Sequence, residues 1–293
     1  MQQQLSAQDQ AYLSASNPYL QRLIQEYQAL DCFDHSLWET WRSRIDLANF
    51  RREGDYLSQL DYGMTEQKYW ATLGAVAAED DQNYLSSFPE DGLFGVISFP
   101  IAGRVITRDL LDSILEINFL RAHLPIAAAD RLRVLDVGAG YGRFAWRFTT
   151  AFPKSYVYCL DAVPESTFLC DFYIQFRGLG DRARAVPLGQ INQVPAPIDL
   201  AVNIHSWSEC TLKAVDFWLD HLVAREVKHL FVVPHTSDFF TRERDGSKLC
   251  FLPAIEAHGY RLIQTRPKFS SPLMQEVGVY PVTYYLFQRV QTA

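Results

Sequence analysis

Two kinds of hydrophobic spacing divide the chain. In roughly the first hundred residues apolar side chains recur at intervals of three to four: Tyr19, Leu20, Leu23, Ile24 and Tyr27 form one stripe, and Leu37, Trp38, Trp41 and Ile45 another. That period sets each stripe on one face of a helix, so this part predicts a helical cap. Between positions 78 and 100 the segments AEDDQNY and FPEDGLFG bring in acids and turn formers. They predict a connecting loop, with a lid over a site as the alternative. A long helix is predicted over 109–124, with Leu110, Leu111, Ile114, Leu115 and Ile117 as its apolar stripe and Asp109 as its N-cap.

From Arg131 onward the spacing changes to short apolar runs separated by amphipathic segments. The runs at 133–137, 156–161, 183–187, 200–204 and 229–233 are almost continuously hydrophobic, as strands buried on both faces must be. Helical patterns such as 165–176 and 212–223 lie between them. The last two runs, 260–265 and 283–290, have no helical pattern between them and are joined by a proline-containing stretch, so they are expected to pair antiparallel at the sheet edge. The expected fold is α/β: a Rossmann-like, seven-stranded, mostly parallel sheet with an antiparallel C-terminal edge hairpin over 125–293, preceded by an N-terminal helical cap and substrate region over 1–124.

Composition excludes more than it assigns. With 293 residues, 48% hydrophobic and 21% charged, the chain can bury a full core and is not expected to be disordered. A net charge of -7 and the absence of any Lys/Arg run longer than a pair argue against a nucleic-acid partner. Cys32, Cys159, Cys170, Cys210 and Cys250 are odd in number and never spaced C-x-x-C, so free thiols are expected rather than disulfides or a zinc site, and no metal is expected. The start has neither a basic nor an apolar leader segment, and nowhere do eighteen apolar residues run together. No membrane association and a cytoplasmic location are therefore expected, with a homo-oligomer left open.

The chemistry concentrates in Val134-Leu135-Asp136-Val137-Gly138-Ala139-Gly140-Tyr141-Gly142-Arg143, where three glycines alternate between a strand and a helix. Glycine lets a backbone turn sharply and approach a ligand, and the following helix offers unpaired N–H groups. A dinucleotide site would read G-x-G-x-x-G, whereas this loop reads G-x-G-x-G. Asp136 just before it suits the positive end of an amino acid better than a pyrophosphate. Asp161 ends the next strand, 25 positions after Asp136, where a carboxylate can accept from both hydroxyls of a ribose. The plainer alternative is a tight turn with Asp161 as a helix cap.

These residues resemble the class I S-adenosylmethionine-dependent methyltransferases, over about 124–290. The resemblance implies a seven-stranded sheet whose last two strands run antiparallel, and S-adenosylmethionine as cofactor. It further implies that Gly138, Gly140 and Gly142 shape the methionine pocket, Asp136 meets the ammonium, Asp161 holds the ribose and Gln190 with Ile191 lies along the adenine. Ala139, Ala162 and Asn203 complete the implied cofactor set.

Ligands of open parallel sheets collect beyond the carboxyl ends of the strands, where this chain carries Asn203-Ile204-His205-Ser206-Trp207-Ser208-Glu209 and Pro234-His235-Thr236-Ser237-Asp238. A hydroxyl acceptor needs its proton removed, and histidine titrates nearest working pH. His205 is the first candidate base, Glu209 its orienter or substitute, and His235 the second candidate. The plainer reading makes His205 a backbone-bonded strand end and Glu209 an acid favoured by a helix start. His123, His221, His229 and His258 lie in helix or edge contexts with no clustered acids and read as structural or exposed.

Asn203-Ile204-x-Ser206-x-x-Glu209, with Arg108-Asp109-Leu110-Leu111-Asp112-Ser113-Ile114, resembles the sugar O-methyltransferase family. That resemblance implies methylation of a hydroxyl on a sugar, glycan or glycosylated small metabolite. Trp207 suits either a sugar face or the core, and the usual burial of tryptophan favours the core. Two other functions remain open: a nicotinamide-dependent oxidoreductase on a related fold, and a methyltransferase-like binding protein without catalysis.

Overall fold

The computed structural model describes residues 5–30, 37–56 and 65–290; Cys32 and its expected thiol lie outside them. The N-terminal part holds α1 (Ala7–Tyr12), α2 (Pro18–Gln28), α3 (Trp38–Trp41), α4 (Glu66–Glu79) and α5 (Tyr84–Ser87). Asn17 caps α2 by accepting from the Tyr19 amide, Pro18 opens its first turn, and Leu20, Leu23 and Tyr27 form its buried face. The stripe beginning at Leu37 yields less than a full helix, ending as a 3-10 turn at Arg42–Arg44.

The cap is not wholly helical. Strands β1 (Ser98–Ile101) and β2 (Arg104–Thr107) form a separate antiparallel hairpin. Its two turn residues, Ala102 and Gly103, have φ of 50° and 76°, the left-handed pair that matches the twist of flanking strands. Only Gly103 carries a sequence signal for that turn, which is why periodicity missed it.

The long helix α6 (Arg108–His123) begins one residue earlier than expected, and its N-cap is Thr107, whose hydroxyl accepts from the Leu110 amide at 3.1 Å. Asp109 is not the cap, because its carboxylate is drawn inward by Arg51 at 3.0 Å and by the Tyr141 hydroxyl. This helix lies on the sheet face: Phe119 stacks on Phe231 at 5.4 Å and meets Tyr284 at 5.3 Å.

Then follow β3 (Arg133–Val137), α7 (Arg143–Ala151), β4 (Tyr156–Leu160), α8 (Pro164–Phe176), β5 (Ala183–Ala185), β6 (Leu200–Ile204), α9 (Leu212–Ala224) and β7 (His229–Val233). The chain ends with α10 (Leu252–Ala257), β8 (Tyr260–Pro267), α11 (Pro272–Val277) and β9 (Thr283–Arg289). The sheet has seven strands in the order β5-β4-β3-β6-β7-β9-β8, with β3 to β7 parallel and β9 antiparallel to both β7 and β8. The fold is therefore the expected Rossmann-like one with an antiparallel C-terminal edge. The short helix α11 between β8 and β9 was not expected; Pro272 at its start and a Ser271 cap form it from the proline-containing connection.

After β3 the chain winds one way to β4 and β5, then returns to lay β6 on the other side of β3. That reversal opens a crevice beyond the carboxyl ends of β3, β4 and β6, where opposite-going connections part. The acidic stretch does not lie free: Glu90 is buried between Arg51 and Arg147, and Asp91 pairs with Arg177. Trp207 is core, 1% exposed, edge-on to Phe251. Among the described residues no helix is long and apolar enough to cross a membrane.

Candidate functional site

The glycine loop leaves β3 with Gly138, Gly140 and Gly142 all in the left-handed region. Gly138 is also required by contact, since a Cβ there would lie 2.0 Å from the Ser206 hydroxyl. The amides of Gly138 and Ala139 both donate to the Leu160 carbonyl, at 2.8 and 3.0 Å. Asp161 braces the loop from the end of β4: its Oδ2 accepts from the Gly140 amide and its Oδ1 from the Val163 amide, each at 2.8 Å.

These elements border an open cavity of about 120 Å³ lined by Asp136, Gly138, Ala139, Gly140, Asp161 and Ala162, together with Trp38, Tyr56, Arg143 and Ser166. Asp136 is 3% exposed and its Oδ2 has no hydrogen-bond partner. Burial raises its pKa to about 7, with Arg143 opposing and Asp161 and Glu116 adding to the rise. Burial likewise brings Asp161 to about 7 against the backbone donors that hold its charge, with Glu209 adding to the rise. Two nearby carboxylates held this way make a crevice that favours a cationic ligand.

Other residues of the expected cofactor set fall outside the cavity lining. Gly142 sits behind the loop, where a Cβ would stand 3.0 Å from the Cys170 sulfur. Asn203 is a clamp: its side-chain amide donates to the Val137 carbonyl at 2.9 Å and accepts from the Trp207 amide at 3.2 Å, tying β3 to the turn after β6. The Gln190 amide oxygen accepts from Arg184 at 3.2 Å, and Ile191 is packed in the core. The polar groups at that end of the crevice are met from α2. The Tyr27 hydroxyl accepts from the Leu188 amide at 3.0 Å and lies 2.7 Å from the Thr167 hydroxyl and 3.3 Å from the Asp161 carbonyl.

The histidines adjoin the crevice. His205 ends β6 with φ of 71°, and its ring lies parallel to that of His235, 4.8 Å between centroids. Burial, with His235 and Arg108 next in effect, holds the His205 pKa well below the ordinary value, so its ring stays neutral. Its Nδ1 has no partner. Glu209 does not orient His205 as expected; it is bound to His235, Oε1 to Nε2 at 2.8 Å. The turn Ser206–Glu209 after β6 swings the carboxylate toward the end of β7, a juxtaposition that local spacing cannot show.

Sequence reasoning missed the other members of this cluster. The Trp38 indole N–H donates to Glu209 Oε2 at 2.7 Å, the Tyr280 hydroxyl is bonded to His235 Nδ1, and the Arg108 guanidinium lies 4.0 Å from the centroid of the Tyr280 ring. Trp38 carried only a helical-face signal, and nothing in the stretch around Tyr280 marks it. A second cavity opens from this cluster, lined by Trp38, Trp41, Arg108, His205, Glu209, His235, Phe240, Arg242, Lys248 and Tyr280. Trp38, Tyr56, His205 and Glu209 border both cavities, which places Glu209 at the junction of a cation-favouring crevice and an aromatic-lined pocket, with its partner His235 on the pocket side. Among the described residues no three His, Cys, Asp or Glu side chains are grouped to hold a metal ion.

No protein-family model matches the chain, and no curated protein matches it. Solved structures resemble it at low identity. A S-adenosylmethionine-dependent methyltransferase of Leishmania major is 19% identical over 60% of this chain and 71% of its own, with a TM-score of 0.43. The mitomycin 7-O-methyltransferase MmcR is 16% identical over 97% of this chain and 76% of its own, with a TM-score of 0.45. The [4+2]-cyclase SpnF is 14% identical over 77% of this chain and 94% of its own, also at 0.45.

Proposed function

We propose that the protein is a S-adenosylmethionine-dependent O-methyltransferase acting on a hydroxyl of a sugar, glycan or glycosylated small metabolite. The observation that carries this reading is the unpaired, buried Asp136 oxygen beneath a glycine loop braced by Asp161, in a crevice bordered by Glu209, whose partner His235 lines the adjoining pocket. A buried carboxylate without a partner is costly, and an ammonium group is the partner its charge calls for.

The residues fit the donor at two of its three parts. Asp136 would hold the ammonium, and Asp161, beside the loop, the ribose hydroxyls. At the base end the Leu188 amide is already taken by Tyr27 and Gln190, bonded to Arg184, lies outside the cavity lining, so packing against Ala162 and Val163 would hold the adenine. Bound there, the sulfonium supplies an electrophilic methyl group. The chain's own tasks are then to exclude water, align the acceptor oxygen and remove its proton. Trp38, Tyr56 and the loop form the walls of the crevice. The His235–Glu209 pair takes the proton, the carboxylate stabilising the imidazolium, and neutral His205 packs beside it. Trp38, Trp41 and Phe240 offer the flat apolar faces on which sugar rings stack.

Thermal denaturation with added S-adenosylhomocysteine or NADH tests the class of the site. A rise in melting temperature with the first alone is expected, and a rise with NADH alone would make the site that of an oxidoreductase. Mass spectrometry of nucleotide sugars, glycans and glycosylated metabolites incubated with labelled donor then tests the acceptor. A mass gain of one methyl group on a sugar hydroxyl is expected, and methylation of a non-glycosyl acceptor alone would remove the sugar.

A further inference from the structure

We propose that Tyr280 is the catalytic group that receives the acceptor's proton, as the outer member of a Tyr280–His235–Glu209 relay. This rests on the methyl-transfer reading and adds to it a residue and a direction.

The direction follows from donor and acceptor chemistry. Both oxygens of Glu209 are engaged: Oε2 faces the Trp38 indole N–H, which can only donate, and Oε1 faces His235 Nε2 at 2.8 Å. An ionised carboxylate only accepts, so Nε2 must carry the hydrogen. A neutral imidazole has one N–H, which leaves Nδ1 as an acceptor and makes the Tyr280 hydroxyl the donor to it. A phenol that donates can still accept, and Tyr280 lines the aromatic pocket proposed for the acceptor. The acceptor O–H bond then breaks toward the Tyr280 oxygen as the tyrosine proton passes to His235 Nδ1. The acceptor oxygen forms its bond to the methyl carbon as the S–CH3 bond of the donor breaks, giving a neutral thioether. The proton ends on the imidazolium, opposite the Glu209 carboxylate.

The surroundings hold Tyr280 in place for this. Its φ of 47° is an uncommon conformation for a bulky residue. Buried Lys268 fixes it by donating to the carbonyls of Val279, at 2.7 Å, and Tyr280, at 3.2 Å, while Asp112 neutralises the lysine. Arg108, itself paired to Asp112 at 3.0 Å, lays its guanidinium over the ring, where it favours electron density gathering on the phenolic oxygen. The aromatic edge of Tyr280 also meets His205 at 5.2 Å, closing the cluster.

The test is nitrogen NMR of the full chain labelled in histidine at pH 8, with the His235 resonances assigned by their loss in His235→Asn and, independently, by their through-bond coupling pattern. The proposal expects the Nε2–H tautomer in the wild type. It expects a shift toward Nδ1–H in Glu209→Gln, whose amide can donate to Nε2. In Tyr280→Phe the Nδ1 resonance should move, with S-adenosylhomocysteine still raising the melting temperature as in the wild type. Turnover of the acceptor found by mass spectrometry should fall about 10²- to 10⁴-fold in kcat in that variant, with KM for the donor unchanged. An Nδ1–H tautomer in the wild type, or full turnover by Tyr280→Phe, would overturn the relay. Failure of the donor analogue to bind, with the Nε2–H tautomer intact, would instead strike the methyl-transfer reading.

Discussion

Asp136 holds the account together at the scale of single residues. Its raised pKa means the unliganded protein bears a cost for ionising it, so its contribution to stability is full below pH 3.8 and is lost as pH rises through about 7. Asp136→Asn should therefore stabilise the unliganded protein, with the gap in melting temperature opening between about pH 4 and 7 and flat above. The rise from 3.8 to about 7 caps that gain at about 4 kcal/mol. The same variant should lose binding of S-adenosylhomocysteine. A variant destabilised at pH 7 would show that Asp136 is satisfied within the fold. For the histidines, His235→Ala should lower kcat by about 10²- to 10⁴-fold. His205→Ala should cost less, because a ring held neutral by burial is a poor proton acceptor; equal losses in the two would remove that distinction.

At the scale of elements, the loop between β3 and α7 is the least replaceable segment. Gly138→Ala would place a methyl carbon on the Ser206 hydroxyl and force an alanine to φ of 75°, so a loss of about 2–4 kcal/mol is expected in denaturant unfolding. Combining it with Ser206→Gly should recover the steric part but not the backbone part; no recovery would mean the contact is not the cause. This loop was legible in sequence because its signal is local: a strand, three glycines and an acid at the end of the next strand. The parallel strands were legible for the same reason, since burial on both faces writes an almost continuous apolar run. The β1–β2 hairpin was not, because Ala102 gives no sign of its left-handed backbone. Nor was the place of Gln190 outside the cavity lining, where Arg184 holds its amide oxygen across a bend, nor the capture of the Leu188 amide by Tyr27 arriving from α2.

At the scale of the molecule, the N-terminal segment is stitched to the sheet by polar contacts that no local pattern reveals. Arg51 and Arg147 grip Glu90 in the interior, Tyr27 meets Leu188, Arg42 pairs with Glu165 at 3.0 Å, and Trp38 reaches Glu209. The carboxyl of Glu90, which burial alone would raise, is held well below its usual range by the two arginines. Removing one partner leaves an uncompensated buried charge, so Glu90→Gln should cost about 3–5 kcal/mol in denaturant unfolding. A loss below about 1 kcal/mol would show that the cluster contributes little. The same long-range placement sets Glu209 against His235 rather than His205: Glu209 follows His205 closely in sequence, but the turn after β6 carries it to the neighbouring strand end.

The most direct test is a crystal structure of the protein with S-adenosylhomocysteine. The ammonium group should lie within hydrogen-bond distance of Asp136 Oδ2, the ribose hydroxyls at Asp161 and the sulfur facing His235 and Tyr280. A crevice that stays empty at saturating ligand, or one that instead takes a pyrophosphate from NADH at the glycine loop, would contradict the methyl-transfer reading.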